Sequence, residues 1–152
     1  MPDDQLPFID QHDVLIAASP TAVWDALIAA VAAPRGPNAE RYVRLVGADP
    51  RSKAGVFPEP GSTLAGFAVA ESEPGRLLRL VGRHRFSEYE LTATLDERPD
   101  GVLLSALTHA RFPGVGGTIY QALVIGSGAH GRLVPRMLRS IRRRALLTSS
   151  PA

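Results

Sequence analysis

Histidine is the side chain with the greatest chemical potential in this chain, because the 152 residues include four histidines and no cysteine. The lack of cysteine excludes a thiol nucleophile, a cysteine-ligated zinc or iron–sulfur site and a disulfide framework. Histidine can act as a general acid or base, because its ordinary pKa lies near neutrality. Three histidines, His84, His109 and His130, fall in segments whose patterns predict strands or a helix, and they are our candidate catalytic residues.

The direction of the two strand histidines is left open by the sequence. His84 alternates in phase with Leu80 and Phe86, which would point it toward an interior. The alternative, which we favour, is a structural histidine that is hydrogen-bonded at a strand end or paired with Glu88. His109 shares its strand face with two leucines and an arginine, and the pattern does not say whether that face is the inner one.

His130 lies on the apolar stripe predicted for the last helix, between Gly128 and Gly131. The glycines remove bulk around a polar group, so this side chain is the most suggestive of the three, although a core histidine bonded to a backbone carbonyl is the interpretation that we favour. The three candidates lack the i, i+4 spacing of a helical metal-binding pair and come from different elements. We therefore predict no metal site. No phosphate-binding loop or dinucleotide fingerprint occurs either, so we predict no cofactor.

The elements that position these residues begin with a strand predicted over 10–18 and a helix that reaches about residue 32. Ser19 and Pro20 mark the start of this helix, because serine can cap the free N–H groups and proline has no N–H to leave unpaired. Residues 38–47 fit either a short helix or a strand. The segment 48–62 is rich in proline and glycine, which predicts a long loop.

The second half of the chain predicts consecutive strands with short connections, which favours an antiparallel meander. Four strands are predicted here, over 64–73, 76–85, 86–97 and 102–112. The glycine-rich segment 113–117 is then predicted to be a flexible connector, and Thr118 is expected to cap a long final helix that reaches about Leu147. A kink or break is expected near Gly131, because glycines and Pro135 lie inside this helix.

Charge is divided unevenly along the chain. Residues 1–113 carry 11 basic and 15 acidic side chains, a net of −4, whereas residues 114–152 carry six arginines and no acid, a net of +6. We expect these arginines to form the solvated face of the last helix and to complement its dipole. The alternative is a surface for a partner. Because no aromatic residues are interleaved for base stacking, we predict no nucleic-acid partner.

This order of elements predicts a sheet whose apolar face is covered by the last helix, because a single sheet must bury that face. A curved sheet around a helix tends to enclose a cavity, and apolar cavities with a few polar groups are the usual small-molecule sites. We predict such a cavity for a small hydrophobic ligand. Its expected lining comprises Phe67, His84, Tyr89, His109, Tyr120, His130 and Met137.

Two segments carry a resemblance to a known group of proteins. The first, AASPTAVWDAL from Ala17 to Leu27, joins a strand end, a Ser-Pro helix start and a Val-Trp pair; the second is GRHRFSEY from Gly82 to Tyr89. Both resemble the START-like superfamily, also called SRPBCC or Bet v 1-like, which includes polyketide cyclase and lipid-transport proteins. The resemblance implies an α+β helix-grip fold, a curved antiparallel β-sheet wrapped around a long C-terminal α-helix. Because that fold usually has six or seven strands and we count five, a further strand within 38–62 is left open.

We therefore expect one START-like domain over 1–148 and a short tail over 149–152. The expected function is the binding of a small apolar or aromatic molecule, such as a lipid or a polyketide-like compound. One alternative is a cyclase or dehydratase that uses a cavity histidine as acid or base; whether the chain is an enzyme is left open, with binding favoured. A second alternative is an interaction module on the arginine-rich last helix.

The compartment and the assembly are expectations from composition. No run of 18 or more apolar residues occurs, so we predict no membrane span. The acidic N-terminus is followed by no apolar stretch, which argues against a secretory signal and favours the cytoplasm. A homodimer is left open.

Overall fold

The computed structural model describes residues 5–124 and 129–149, apart from the side chains of residues 124, 129 and 130. Within these ranges the chain forms six strands and four helices. Their order is β1 (Phe8–Ile16), α1 (Pro20–Ala32), α2 (Gly36–Leu45), β2 (Thr63–Leu64), β3 (Phe67–Glu73), β4 (Leu77–His84), β5 (Ser87–Arg98), β6 (Gly101–Arg111), α3 (Gly114–Val124) and α4 (Ala129–Ser149).

The six strands form one antiparallel sheet in the order β1-β6-β5-β4-β3-β2. Strands β2 to β6 follow one another as a meander, because tight turns join each to the next, and β1 returns to pair with β6 at the far edge. The register places Leu80 opposite Leu91 and Ala93 opposite Ala106. Apolar residues thereby line one face of the sheet across several strands, which is the face that must be covered.

The two faces of the sheet differ in chemistry. The concave face carries fully buried side chains, among them Leu80 and Leu104. The convex face carries ion pairs between strands. Arg79 on β4 lies 3.4 Å from the carboxylates of both Glu71 and Glu90. This alternation agrees with the one wet face and one buried face that the sequence predicts for β5.

Helix α4 covers the concave face with one apolar stripe. Val134, Leu138, Ile141 and Ala145 recur at three- and four-residue intervals and are buried. Together with α1 they form the core against the sheet. A curved antiparallel sheet closed by the C-terminal helix confirms the α+β helix-grip prediction. Within the described ranges, no helix is both long and apolar enough to cross a bilayer.

The final helix predicted from Thr118 to about Leu147 corresponds to α3 and α4, and it begins earlier than expected, at Gly114. The kink or break expected near Gly131 does not interrupt α4, which runs through that residue. Thr118 does not cap a helix: it lies inside α3, where its hydroxyl donates to the Gly114 carbonyl at 3.1 Å. The glycine-rich connector is therefore helical as well. Residues 125–128, between these two helices, lie outside the described residues, while α4 continues through Pro135.

Two ambiguous segments are resolved by the fold. Most of the segment 38–47 belongs to α2, which buries none of its ten residues. The sixth strand lies directly after the segment 38–62, at Thr63–Leu64, and pairs with the start of β3. The predicted strand 64–73 is thus two strands joined by a turn, and Gly66 at φ 87° allows the chain to reverse there.

The packing of α4 generates a stability prediction. Replacing Ile141, which is fully buried, by alanine should lower the free energy of unfolding by about 3 kcal/mol, because transfer and cavity costs add. Leu147→Ala on the same helix is the matched control: this side chain is 73% exposed, so the loss should stay within about 0.5 kcal/mol. Urea denaturation measures both values. Equal losses would show that α4 does not close the core.

Candidate functional site

A cavity of about 470 Å³ lies between the concave face of the sheet and helices α2, α3 and α4. The cavity arises because the helices cover the two ends of this face unequally. At one end α1 contributes Val23 and Leu27 to a filled core, whereas at the other end α2 buries no residue. The volume falls within the range of small-molecule pockets, roughly 300–1,000 Å³. Most of the lining side chains are apolar, and the polar ones come from β4, β5, β6, α3, α2 and Arg35 just before α2.

Five of the seven predicted lining residues lie on this cavity: Phe67, His84, Tyr89, Tyr120 and Met137. They come from β3, β4, β5, α3 and α4, so the fold brings together side chains that are distant in sequence. Each remains a candidate for ligand contact.

The other two predicted lining residues are His109 and His130. His109 is not a cavity residue: its neighbours Thr108 and Ala110 line the cavity, and His109 itself faces the other way, 5.8 Å from the ring of Phe8. The cause is strand alternation, which gives the inner face of β6 to the even-numbered residues. The side chain of His130 lies outside the described part of the structure. Among the described residues, no three histidine, aspartate or glutamate side chains lie close enough to hold a metal ion.

An aromatic cluster, formed by His84, Phe86, Tyr89 and Tyr120, occupies one end of the cavity. The ring centre of His84 lies 4.8 Å from that of Tyr120 and 5.6 Å from that of Tyr89. Phe86 stacks on Tyr120 at 5.6 Å with nearly parallel planes. These contacts fix the orientation of the cavity histidine, since edge-on and stacked ring pairs add to the energy of simple burial.

The hydrogen bonding of His84 determines what it offers to a ligand. The backbone N–H of Phe86 donates to His84 Nδ1 at 3.1 Å. Because Nδ1 accepts, the proton of the neutral ring is on Nε2, and this nitrogen is a donor. Burial lowers the pKa of His84 below its ordinary value, so the ring is neutral at pH 7. The pairing with Glu88 considered from the sequence does not occur, since Glu88 lies 3.7 Å from Arg111 instead.

Tyr89 is held in place by two glycines. Its hydroxyl donates to the carbonyl of Gly66 at 2.6 Å. Opposite it on β4 stands Gly82, where an added Cβ would lie 2.6 Å from the tyrosine ring. Glycine at this position therefore lets the ring lie across the strand. Burial raises the pKa of Tyr89 to about 12, so the hydroxyl keeps its proton and commits it to Gly66.

The mouth of the cavity is crossed by a contact that the sequence did not indicate. The hydroxyl of Tyr42 on α2 is hydrogen-bonded to that of Tyr120 on α3. Burial, together with this bond, raises the pKa of Tyr120. Nearby, the guanidinium of Arg35 lies 5.2 Å from the ring centre of Phe67 and donates to the Ala65 carbonyl at 3.3 Å. Tyr42 was missed because helix or strand could not be decided for its segment.

Two buried hydroxyl residues also line the cavity, Ser87 on β5 and Thr108 on β6. The hydroxyl oxygen of Thr108 has no hydrogen-bond partner among the described residues. Unpaired buried polar groups are rare, because each costs about 1–3 kcal/mol. Alternation with Ala106 and Ala110 could have identified Thr108 once the inner face of β6 was known.

Comparison with known proteins gives the fold. No protein-family model matches the chain, and no curated protein matches its sequence. Three solved structures illustrate the likeness. TTHA0849 from Thermus thermophilus is 16% identical, with 95% of this chain and 100% of that chain covered and a TM-score of 0.57. An uncharacterised protein from Rhizobium leguminosarum is 14% identical, with 90% and 92% covered and a TM-score of 0.56. Ara h 8.0201 is 8% identical, with 90% and 96% covered and a TM-score of 0.51.

At these identities the likeness concerns the fold alone. Ara h 8.0201 is a homologue of Bet v 1, and the two bacterial proteins align with nearly the whole of this chain. The chain therefore has a Bet v 1-like helix-grip fold.

The environment of His84 predicts a pH dependence of stability. Because burial lowers its pKa in the folded state, the unfolded chain takes up this proton first as the pH falls. The contribution of His84 to the free energy of unfolding should therefore be fully present above pH 6.5, the ordinary histidine pKa. It should decrease as the pH falls below 6.5 and level off below the folded-state pKa of His84. NMR titration of the His84 ring and urea denaturation between pH 7 and about pH 4.5 measure the two quantities.

The control for this experiment is a histidine elsewhere in the chain. His84→Gln should make the fall in the free energy of unfolding between pH 7 and about pH 4.5 smaller. His12→Gln changes a side chain outside the cavity, so the part of this fall that comes from His84 should remain. An NMR titration midpoint of His84 at or above 6.5 would contradict the burial argument.

Proposed function

We propose that the chain binds one small, largely apolar molecule in the cavity, such as an aromatic or lipid-like compound that carries a hydrogen-bond acceptor. The observation that supports this function is the open volume of about 470 Å³ beside a filled core. Protein interiors are close-packed, so a space of this size at the centre of a fold is typical of a ligand site. The Bet v 1-like fold is compatible with the proposal.

The apolar lining supplies the binding energy in this proposal. Phe67, Leu91 and Met137 present hydrocarbon and ring surfaces to the cavity from three elements. A ligand that buries roughly 200 Å² of apolar surface there would gain about 5 kcal/mol, at about 25 cal/mol per Å². A free energy of about 5 kcal/mol corresponds to a Kd of about 0.2 mM. Because immobilising the ligand costs part of this gain, we expect roughly millimolar affinity for a small ring compound.

The polar groups of the cavity define which ligands fit. His84 offers the Nε2–H, because its Nδ1 is occupied by the backbone of Phe86. The Tyr42–Tyr120 pair shares one hydrogen bond between two hydroxyls, so one O–H proton remains available. Thr108 adds a hydroxyl without a partner among the described residues. Each of these groups can donate a hydrogen bond, so a ligand with a carbonyl, ether or hydroxyl oxygen is complementary to them. The charged side chains of Arg35 and Glu90 line the cavity as well.

The same geometry favours binding over the cyclase or dehydratase alternative. An acid–base enzyme of that kind needs a basic nitrogen with a free lone pair within reach of a carbon-bound proton. The lone pair of His84 Nδ1 accepts from a backbone N–H, and Nε2 carries the ring proton. The Tyr89 proton is directed to a backbone carbonyl. We therefore assign His84 the role of orienting a ligand.

Filling the cavity should abolish binding. Ala39 on α2 lines the cavity, and α2 buries no residue, so Ala39→Phe should add bulk without disturbing the core. Binding of 2-acetonaphthone, measured by isothermal titration calorimetry, should weaken at least about tenfold, because the apolar contact area is lost. Ala70→Phe, at an exposed position on β3, is the matched control and should bind as the unmodified chain does. Equal affinity of the two variants would contradict the cavity as the site.

The acceptor requirement is tested by a pair of probes that differ in one oxygen. The unmodified chain should bind 2-acetonaphthone about fivefold more tightly than 2-ethylnaphthalene, because only the ketone accepts a hydrogen bond. One such bond contributes about 1 kcal/mol, which corresponds to a ratio of about five between the two dissociation constants. In His84→Phe the ring is kept and the donor is lost, so the ratio should approach one. A preference for the hydrocarbon in the unmodified chain would show that the cavity selects apolar ligands only.

A further inference from the structure

Helix α3 exposes an apolar stripe that nothing in the described structure covers. Val115, Ile119 and Leu123 recur at four-residue intervals and are 79%, 58% and 68% exposed. The helix, GVGGTIYQALV, contains no charged residue. A surface helix normally turns charged side chains to water, so an uncharged helix with its large apolar residues outward indicates a surface that is buried part of the time.

A second feature is a row of arginines along α4. Arg132 and Arg136 lie one helical turn apart on the exposed side of α4, and Arg139 and Arg143 continue the same row. Helix α4 contains no acidic residue. None of these arginines forms an ion pair within the described part of the chain, whereas Arg79, Arg83 and Arg111 of the sheet all do.

The stripe and the arginines belong to two helices that both line the cavity. Tyr120 of α3 and Leu133 of α4, which is itself 65% exposed, line the same cavity. We call Val115, Ile119, Leu123, Arg132 and Arg136 the rim surface, because it adjoins the mouth of the cavity.

We propose that the rim surface docks the protein on an anionic lipid bilayer. The α3 stripe enters the boundary between headgroups and acyl chains, and the arginines contact the anionic headgroups. An apolar helix face combined with arginines is the composition of interfacial membrane contacts. This inference goes beyond the proposed ligand binding and does not depend on it. Docking in this manner turns the mouth of the cavity toward the bilayer.

Charge favours a bilayer over the two other occupants of such a surface. In a symmetric dimer the same patch meets itself, which would bring the arginines of one copy toward those of the other. A nucleic acid would also attract arginines, but single-strand binders need exposed aromatic rings for stacking, and the rim surface contains none. An anionic bilayer satisfies the apolar stripe and the cations together.

Sedimentation with lipid vesicles tests the proposal with the full chain. Binding to phosphatidylcholine vesicles that contain about 30% phosphatidylserine should exceed binding to pure phosphatidylcholine, and about 0.5 M NaCl should weaken it. Arg132→Gln with Arg136→Gln should lower the partition coefficient at least tenfold, since each arginine at an anionic surface contributes about a fivefold change. Ile119→Ser with Leu123→Ser should lower it by at least about tenfold through lost apolar insertion.

Matched controls change the same residue types elsewhere. Arg51→Gln with Arg98→Gln removes two exposed arginines away from the rim surface, and Val56→Ser removes a side chain that is 67% exposed in a loop. Both should keep the partition coefficient within about twofold of the unmodified chain. Binding of 2-acetonaphthone by the rim variants should be unaffected, which separates this proposal from the one on the cavity.

Three outcomes would overturn the proposal. The first is equal binding to anionic and neutral vesicles, or equal losses in the rim and control variants. The second is a dimer in analytical ultracentrifugation that Ile119→Ser with Leu123→Ser dissociates, which would make the stripe an interface between copies of this chain. The third is salt-sensitive binding to a DNA oligonucleotide without vesicle binding, which would assign the arginines to a nucleic acid.

Discussion

The rest of the structure depends on the contact between the apolar stripe of α4 and the concave face of the sheet. Ile141 on the helix and Leu104 on β6 are both fully buried, so this contact excludes water along the middle of the fold. Helix α1 completes it at one end by inserting Val23 and Leu27. Helix α2 lies at the other end without a buried residue, and the space it spans stays open. The cavity therefore exists because α1 packs buried apolar side chains against the sheet and α2 does not.

The chemistry of the cavity is determined by backbone contacts rather than by its side chains alone. His84 becomes a donor because a backbone N–H occupies its other nitrogen. Tyr89 keeps its position because glycine stands opposite it and a carbonyl accepts its proton. In both cases the burial that excludes water also keeps the group uncharged, by lowering the histidine pKa and raising the tyrosine pKa. These neutral donors suit an oxygen-bearing ligand, and the charged side chains of Arg35 and Glu90 also line the cavity.

The sequence predicted the parts of this fold that local physics determines. Ser19 with Pro20 predicted the start of α1, and the Ser19 hydroxyl oxygen does accept a hydrogen bond from the backbone N–H of Ala22. Alternation predicted the strands and placed residue 84 in phase with Leu80 and Phe86, but it left the direction of this side chain open. The inner face of β6 could not be predicted, because both faces of that strand are apolar and only pairing with β5 distinguishes them; His109 was therefore included as a lining candidate although it lies on the outer face. Tyr42 was missed for a related reason: a helix that buries nothing has no apolar stripe to reveal it.

The sheet and the last helix differ in how their charges are paired. Three acidic residues of the sheet, Glu71, Glu88 and Glu90, form ion pairs with arginines on neighbouring strands. The arginines of α4 have no acid within their helix, and those of the described part lie outside any ion pair. The expectation that these arginines complement the helix dipole is wrong, because the last turn of α4 carries no basic residue and the effect falls off within that turn. Because Leu133 lines the cavity and directly follows Arg132, this uncompensated positive charge begins beside the cavity wall.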